Sequence, residues 1–582
     1  MRLLFLLVTF ALCACAQKPV VKEPGSPDAG RAKAGALIAQ PREPKPDNLP
    51  RQELEAETLY QFLLAEIAGQ RGNLALSSQA YLEIAKRTRD PRVAKRAAEV
   101  ATFSRDYELA LEAASLWLEL EPDSVAARQS IASVLVNSDD LKSAVPHLAK
   151  LLAVEGNNSG HGFLQLNNIL AKHADKTAVL NAVKELAQPY RELAEAQFAI
   201  AQAAHNAGQH DAALAAIRQA AKLKPDWELA AVYEAQLLSR TSNTLAIEHL
   251  AKFLAAHPKA QEARLNFARL LVADRNYNAA RAEFQKLMAD FPDNADVVFA
   301  VALLSVQLKD YDAADMQFKQ AMELGFKDAD SIRLYLGQVA EERQRFGEAK
   351  QWYSAVLPGK HFLEANTRYA GIVAKQDGLP AGRMYLRSLP SSSEQEKVQY
   401  IQAEAQLLRD NDADQEAFQM LAHALEATPN HPDLLYDHAM AAERIDRLDV
   451  LETNLRRLIE LKPDYAHAFN ALGYTLADRT GRLDEAQQLI ETALKLAPED
   501  PFIMDSMGWV QYRRGNFDEG LQYLQRAFSS RPDPEIAAHL GEVLWVSGKR
   551  QEAQKIWREA LRESPKNELL LNTIKRFVAE RL

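Results

Sequence analysis

The sequence predicts an all-α protein, a solenoid of stacked helical hairpins. Three phrases near its end repeat one pattern: AFNALGYTLADRTGRLDEAQQLIETALKLAPED from Ala468, MDSMGWVQYRRGNFDEGLQYLQRAFSSRPD from Met504 and AAHLGEVLWVSGKRQEAQKIWREALRESPK from Ala537. Within each phrase, small or apolar residues fall at i, i+3, i+4 and i+7, which is one stripe of a helix, and a second such stripe follows a turn. Glycine and proline are scarce, 23 and 25 in 582 residues, about 8% together against the usual ~12%. Proline recurs at the end of each phrase, where it cannot continue a helix.

The repeat can be counted. With Gly541 at position eight, positions 20, 24, 27 and 32 are Ala553, Trp557, Ala560 and Pro565. From Gly508 they are Gly520, Leu524, Ala527 and Pro532. Gly473 needs one inserted residue before Ala486, Ile490, Ala493 and Pro498. Upstream, Ala268, Ala201 and Ala98 start the same series. The position-eight residues chain as Ala65, Ala98, Ala132, Leu166, Ala201, Glu234, Ala268, Ala302, Gly337, Gly371, Ala405, Ala439, Gly473, Gly508 and Gly541, at steps of 33 to 35. Leu166 is interpolated, and Glu234 and Gly371 are degenerate. The small residues at positions 8 and 20 are expected to let the two helices of a hairpin approach closely. No hairpin buries its face alone, so stacking does it.

These positions resemble the tetratricopeptide repeat (TPR) motif. The resemblance implies a right-handed TPR superhelical solenoid of up to about fifteen hairpins over residues 51–565, with first helices lining a concave groove. The tail, 566–582, carries Leu570, Ile574, Phe577 and Val578 on one face and reads as a capping helix.

Residues 1–14, MRLLFLLVTFALCA, hold an apolar run after Arg2, too short to span a bilayer but suited to a signal peptide. LCAC resembles a bacterial lipobox, with Ala14 before Cys15 as the lipidated residue; Cys13 would place bulky Leu12 at the cleavage site. An ordinary secretory signal with a chance cysteine is the alternative. Ala16 after the lipidated position implies, by resemblance to the lipoprotein sorting rule, the outer membrane, where acyl chains on Cys15 anchor the chain. From Cys15 to Pro50 the chain is proline-rich and without aromatics, so it cannot build a core and reads as a tether.

The net charge of −10 and pI near 5.8 argue against a general nucleic-acid binder, which needs clustered Lys and Arg. Cys13 and Cys15 are the two cysteines, so the body has no disulfide framework and no cysteine nucleophile. No HExxH, GxSxG or phosphate-binding glycine loop occurs. Ser159 and His161 in GNNSGHG read as loop residues, His431 and His438 have no standard metal spacing, and the Asp484/Glu485 and Asp518/Glu519 pairs read as helix starts favoured by the dipole. No catalysis, cofactor or metal is expected.

In the TPR fold, positions 2, 5, 9 and 12 of each first helix face the groove. Toward the C-terminus they give His467, Asn470 and Tyr474, then Asp505, Trp509 and Tyr512, then Glu535, Glu542 and Trp545, with Arg513 beside them and Tyr436 in the preceding unit. Such aromatic and charged residues are common at binding hot spots. Trp509 and Trp545 are expected to be exposed to a partner, whereas Tyr512 could equally pack between helices. Trp117 and Trp557 fall on the core stripe of second helices.

A lipobox, a proline-rich tether and an all-TPR body together look like the large outer-membrane TPR lipoproteins of Gram-negative bacteria. Over residues 466–560 the phrases NALGYTLADRTGRLDEAQQLIETAL, DSMGWVQYRRGNFDEGLQYL and DPEIAAHLGEVLWVSGKRQEAQKIW are similar to the lipoprotein adaptors of carboxyl-terminal processing proteases. That resemblance implies a non-enzymatic, periplasm-facing adaptor, holding a PDZ-type processing protease and presenting peptidoglycan hydrolases to it. The alternative is an assembly or pilotin-like scaffold for an outer-membrane machine.

Overall fold

The computed structural model describes residues 50–578, apart from Arg51, Gln52, Leu54, Glu155, Asn157, Asn158, Ala171 and Lys172. The leader, Cys15 and all but the last residue of the tether lie outside the described residues, as do 579–582. Among the described residues there are thirty-one α-helices, from Ala56–Gln70 to Glu568–Phe577, and no strand. None is long and apolar enough to cross a membrane. The chain forms two compact units, one ending at Phe326 and the other starting at Lys327. Each is a TPR-type stack in which most helices pack on their neighbours in the chain.

One hairpin shows how the repeat makes this structure. Asp500 caps the Pro501–Arg513 helix, accepting from the N–H groups of Phe502 and Ile503 at 2.9 and 3.1 Å, and Pro501 occupies the first helical turn, where its missing N–H costs nothing. The chain turns at Gly515, with φ +86°, and re-enters a helix at Phe517–Ser530. The two helices meet at their glycines. A Cβ on Gly508 would lie 2.6 Å from Leu524 Cγ and 2.9 Å from the Gly520 carbonyl oxygen. The same closeness recurs at Gly541, where a Cβ would lie 2.0 Å from Trp557 Nε1, and at Gly337, 2.3 Å from the Tyr353 ring. Trp557 is fully buried and Trp117 nearly so, as the core stripe requires.

The turn is as regular as the stripe. Seven residues after position eight, Gly72, Arg105, Asp139, Gly208, Arg275, Lys309, Gln344, Asp412, Asp446, Gly515 and Gly548 all have positive φ. A left-handed residue is a common way to close a helix, and here it sets the angle of each hairpin. The units numbered from Leu166, Glu234 and Gly473 lack it, and in the Gly371 unit Gly378 has φ +96° but an extended ψ of 154°.

Each exception has a physical origin. At Gly473 the inserted residue lengthens the turn. Glu234 puts a carboxylate where a small residue belongs; it is buried and held by Arg218 Nε at 3.0 Å and His249 Nδ1 at 3.9 Å, from the flanking second helices. The Gly371 register is corrected by one residue. A Cβ on Gly371 meets nothing within 4 Å, whereas one on Gly382 would sit 2.7 Å from the Ala370 carbonyl oxygen. Fully buried Ala370, twelve residues before Gly382, is therefore the close-contact residue, and the glycine beside it misled the count. The Leu166 unit is not a TPR hairpin: Ser159–Leu170 and Lys176–Ala187 each pack on the Ala194–Asn206 helix rather than pairing with each other. Ser159 and His161 are also corrected, from loop to the start of a helix. The Ser159 hydroxyl donates to the carbonyls of Leu152 and Gly156 at 3.1 and 2.6 Å.

The ends differ. Glu568–Phe577 lays Leu570 and Ile574, both buried, on the last hairpin beside Trp557, covering an apolar face that a terminal repeat would otherwise expose. The Ala56–Gln70 helix has no described hairpin before it, and Leu59, Tyr60, Leu63 and Ile67 remain exposed.

Candidate partner-binding face

In the second unit, four first helices stand side by side: Pro432–Arg444, Ala466–Arg479, Pro501–Arg513 and Pro534–Val546. Three begin with proline, and the last is capped by Asp533, which accepts from Glu535 N at 2.9 Å. Their shared face draws together further than neighbour to neighbour. The Tyr474 hydroxyl reaches His539 Nε2, two units on, at 3.3 Å. A contact that skips a repeat requires the first helices to converge on this side.

His539 is the hub. Its Nδ1 lies 2.8 Å from Asp505 Oδ2, with both side chains buried. Trp509 stacks on the imidazole, ring centroids 4.4 Å apart. The Trp509 indole N–H donates to Asp478 Oδ1 at 3.1 Å, and Arg513 Nη1 donates to the Asp478 carbonyl oxygen at 2.9 Å. Tyr512 packs on Trp509 at 5.1 Å and donates to Glu542 Oε1 at 3.2 Å. Glu542 is also paired with Arg576 of the capping helix, so the network runs from the Ala466 helix to the end of the stack.

Burial sets the electrostatics. Removal from water disfavours the imidazolium of His539, yet the Asp505 carboxylate prevails and holds its pKa above the ordinary value. Burial pushes the Glu542 carboxyl up, against the pull of Arg576. It drives the Tyr474 phenol well above its usual range, and Tyr436 and Tyr512 each to about 12. These tyrosines are neutral hydrogen-bonding groups at any physiological pH.

The expected groove residues thus divide. His467, Arg513 and Glu535 are exposed, and Tyr436, Asn470, Tyr474 and Tyr512 are half-buried. Asp505 and Glu542 are buried, at 6% and 5% exposure, because each has a cationic neighbour in the next helix along. Trp509 corrects the expectation of exposure: it is 6% exposed, closed off by His539 on its face and by Asp478 at its N–H. Trp545 is half-buried rather than free, stacked on Trp557 at 5.7 Å with the Arg550 guanidinium 5.2 Å from its ring centre. The positions do share one face, but most of the aromatic surface there is spent joining helices. Sequence reasoning missed His539 and Asp478, which stand at positions 6 and 13, just off the positions read as groove-facing. It also missed Asp437 and Glu443 on the preceding helix. The aromatic at position 9 needing a neighbour was the available signal.

Hairpins with this spacing, close glycines and first-helix face define a TPR solenoid. Tetratricopeptide-repeat family models match residues 194–226, 237–304, 436–501 and 506–568. A TPR repeat-containing protein of Pseudomonas aeruginosa is 32% identical over 486 residues, covering 84% of this chain and 82% of the relative. The chain belongs to this family of TPR repeat-containing proteins. Among solved structures, it is similar to a thermophilic TPR protein of Thermus thermophilus (22% identity, TM-score 0.28, 30% of this chain and 94% of that one). It is also similar to MamA of Desulfovibrio magneticus (17% identity, TM-score 0.25, 31% and 99%). A third is a chain of the Cut9–Hcn1 hetero-tetramer of the APC/C (14% identity, TM-score 0.31, 90% and 97%). TPR repeats are typically non-catalytic and suggest a scaffold for protein–protein interaction.

Proposed function

We propose that this chain is a non-enzymatic adaptor, lipid-anchored at Cys15 to the outer membrane and facing the periplasm. It binds a PDZ-type carboxyl-terminal processing protease and presents peptidoglycan hydrolases to it. The observation that carries the reading is the combination, in one chain, of a lipobox-like LCAC, a tether with seven prolines between Gln17 and Pro50, and a TPR body. The similarity of residues 466–560 to the adaptors of such proteases supports the choice of partner. The tether suits the role: as a flexible coil it reaches roughly 30–35 Å from the membrane, enough to let a partner dock beneath it.

The experiment is co-purification from detergent-solubilised envelopes. The adaptor reading expects the processing protease and cell-wall hydrolases to be retained with the tagged chain. Retention of secretin or porin-assembly factors, without the protease, would instead make it an assembly or pilotin-like scaffold. Cys15→Ala should release the body from the membrane, and a variant that stays bound would overturn the anchor.

A further inference from the structure

The first described helix is bare where later first helices are covered. Counted from Ala65 at position eight, Tyr60, Leu63 and Ile67 occupy positions 3, 6 and 10 and are 59%, 53% and 47% exposed. The same positions are Ile503, Ser506 and Val510 in Pro501–Arg513, and Ile536, His539 and Val543 in Pro534–Val546, none more than 6% exposed. Each of those helices packs on the second helix just before it in the chain, Leu483–Leu496 and Phe517–Ser530 respectively. Ala56–Gln70 turns Thr58, Ala65 and Ala68 inward and packs on Leu74–Thr88, while its outer stripe, which includes Leu59, stands exposed. In repeat proteins a terminal stripe of this kind needs a capping segment.

The edges of the stripe are acidic. At helical spacing Glu57 borders it on one side and Glu66 on the other, and Glu53 and Glu55 precede the helix; all four are exposed. Two copies meeting here would set like charges against each other, which disfavours the contact. A basic cover is favoured, and chain order points upstream for it. Residues 28–40, DAGRAKAGALIAQ, lie outside the described residues and are the longest proline-free stretch between Gln17 and Pro50. Ser26 before Pro27 is a helix start, and Pro41 is a stop. Wound as a helix, the stretch brings Gly30, Ala34, Leu37 and Ile38 to one stripe, at i, i+4, i+7 and i+8. Arg31 stands on one edge of that stripe, Lys33 on the other, and Arg42 just beyond its end.

We infer that residues 28–40 fold back as a helix and cover Leu59, Tyr60, Leu63 and Ile67, the basic edges of the one against the acidic edges of the other. The fifteen connecting residues, 41–55, reach roughly 45 Å when extended. Either helix is only about 20 Å long, so the connection allows both directions of approach. The inference does not depend on the adaptor reading. It leaves residues 16–27 as the free part of the tether, with a coil reach of roughly 20 Å.

The test is hydrogen exchange of peptides within 56–70, read by mass spectrometry, in the chain from Ala16 and in one starting at Asn48. The longer chain should exchange there about tenfold more slowly, at every protein concentration. Leu37→Asp with Ile38→Asp, or Arg31→Glu with Lys33→Glu, should bring the rate to that of the shorter chain. Peptides within 501–546 should be unchanged in all of these, which shows that the body is folded. Val20→Asp with Val21→Asp, upstream of the segment, should leave the protection in place. Equal exchange in the two chains would overturn the inference. Protection that rises with protein concentration, alongside a dimer in ultracentrifugation, would overturn it in favour of a second copy. Protection that appears only with phosphatidylethanolamine–phosphatidylglycerol vesicles would overturn it in favour of a lipid surface.

Discussion

The Trp509 indole lies on the His539 imidazole, centroids 4.4 Å apart and planes 30° from parallel, joining two successive first helices above a buried Asp505–His539 pair. The largest side chain of its helix therefore works as a keystone between repeats.

Trp509→Ala should cost about 3–5 kcal/mol locally, the usual range for emptying a buried aromatic site. Trp509→Phe keeps the stacking but strips Asp478 of its indole donor, and should cost about 1 kcal/mol. Because a solenoid can open in parts, hydrogen exchange of peptides within 466–546 is the fitting measurement. Exchange that is unchanged in Trp509→Ala would show the contact to be incidental.

The Asp505–His539 pair should make stability depend on pH. The folded pKa of His539 is raised, so its contribution is fully present below the unfolded value of about 6.5 and is lost as pH rises through the folded value. Glu542, also raised, acts in the same direction: its burial is penalised at high pH and relieved as pH falls. His539→Gln should flatten the alkaline side of the melting-temperature profile. A difference from wild type that is constant with pH would contradict the assignment.

The register at residue 370 gives a sharper test of the repeat itself. Ala370→Leu should destabilise the second unit by about 1–3 kcal/mol through overpacking against Gly382. Gly371→Ala, on open helix surface, should be neutral or stabilising by up to about 1 kcal/mol. Thermal melts of the two variants should diverge, and the reverse order would restore Gly371 to the contact.

Gly541 faces Trp557 so closely that a Cβ would sit 2.0 Å from its Nε1. Gly541→Ala should therefore lower stability by about 1–3 kcal/mol, although alanine is the better helix former. The result can be read from urea unfolding of the last hairpins. A stabilised variant would mean that Trp557 has room to move.

How much was legible follows from what each signal encodes. The hairpins were readable because close approach admits few residue types: Gly508, Gly520, Ala553 and Ala560 announce it directly. Where another residue solves the same problem, as Glu234 does with Arg218, the pattern blurs but the fold persists. Ser159–Leu170 and Lys176–Ala187 carried no such pair and indeed do not pack on each other. The face was readable as a set of positions but not as a state of exposure. Whether Trp509 meets a partner or a neighbour depends on His539, thirty residues later in the chain, and only the stacking geometry of successive units brings the two together.

The proposed coupling of a protease to its substrate by this chain can be read out by reconstitution. The purified body would be mixed with the purified processing protease of the same organism and a peptidoglycan hydrolase, and the cleavage rate measured with and without the chain. Cleavage should be at least about tenfold faster with the chain present, the gain in local concentration that tethering two partners provides. A rate unchanged by saturating amounts of the chain would contradict it.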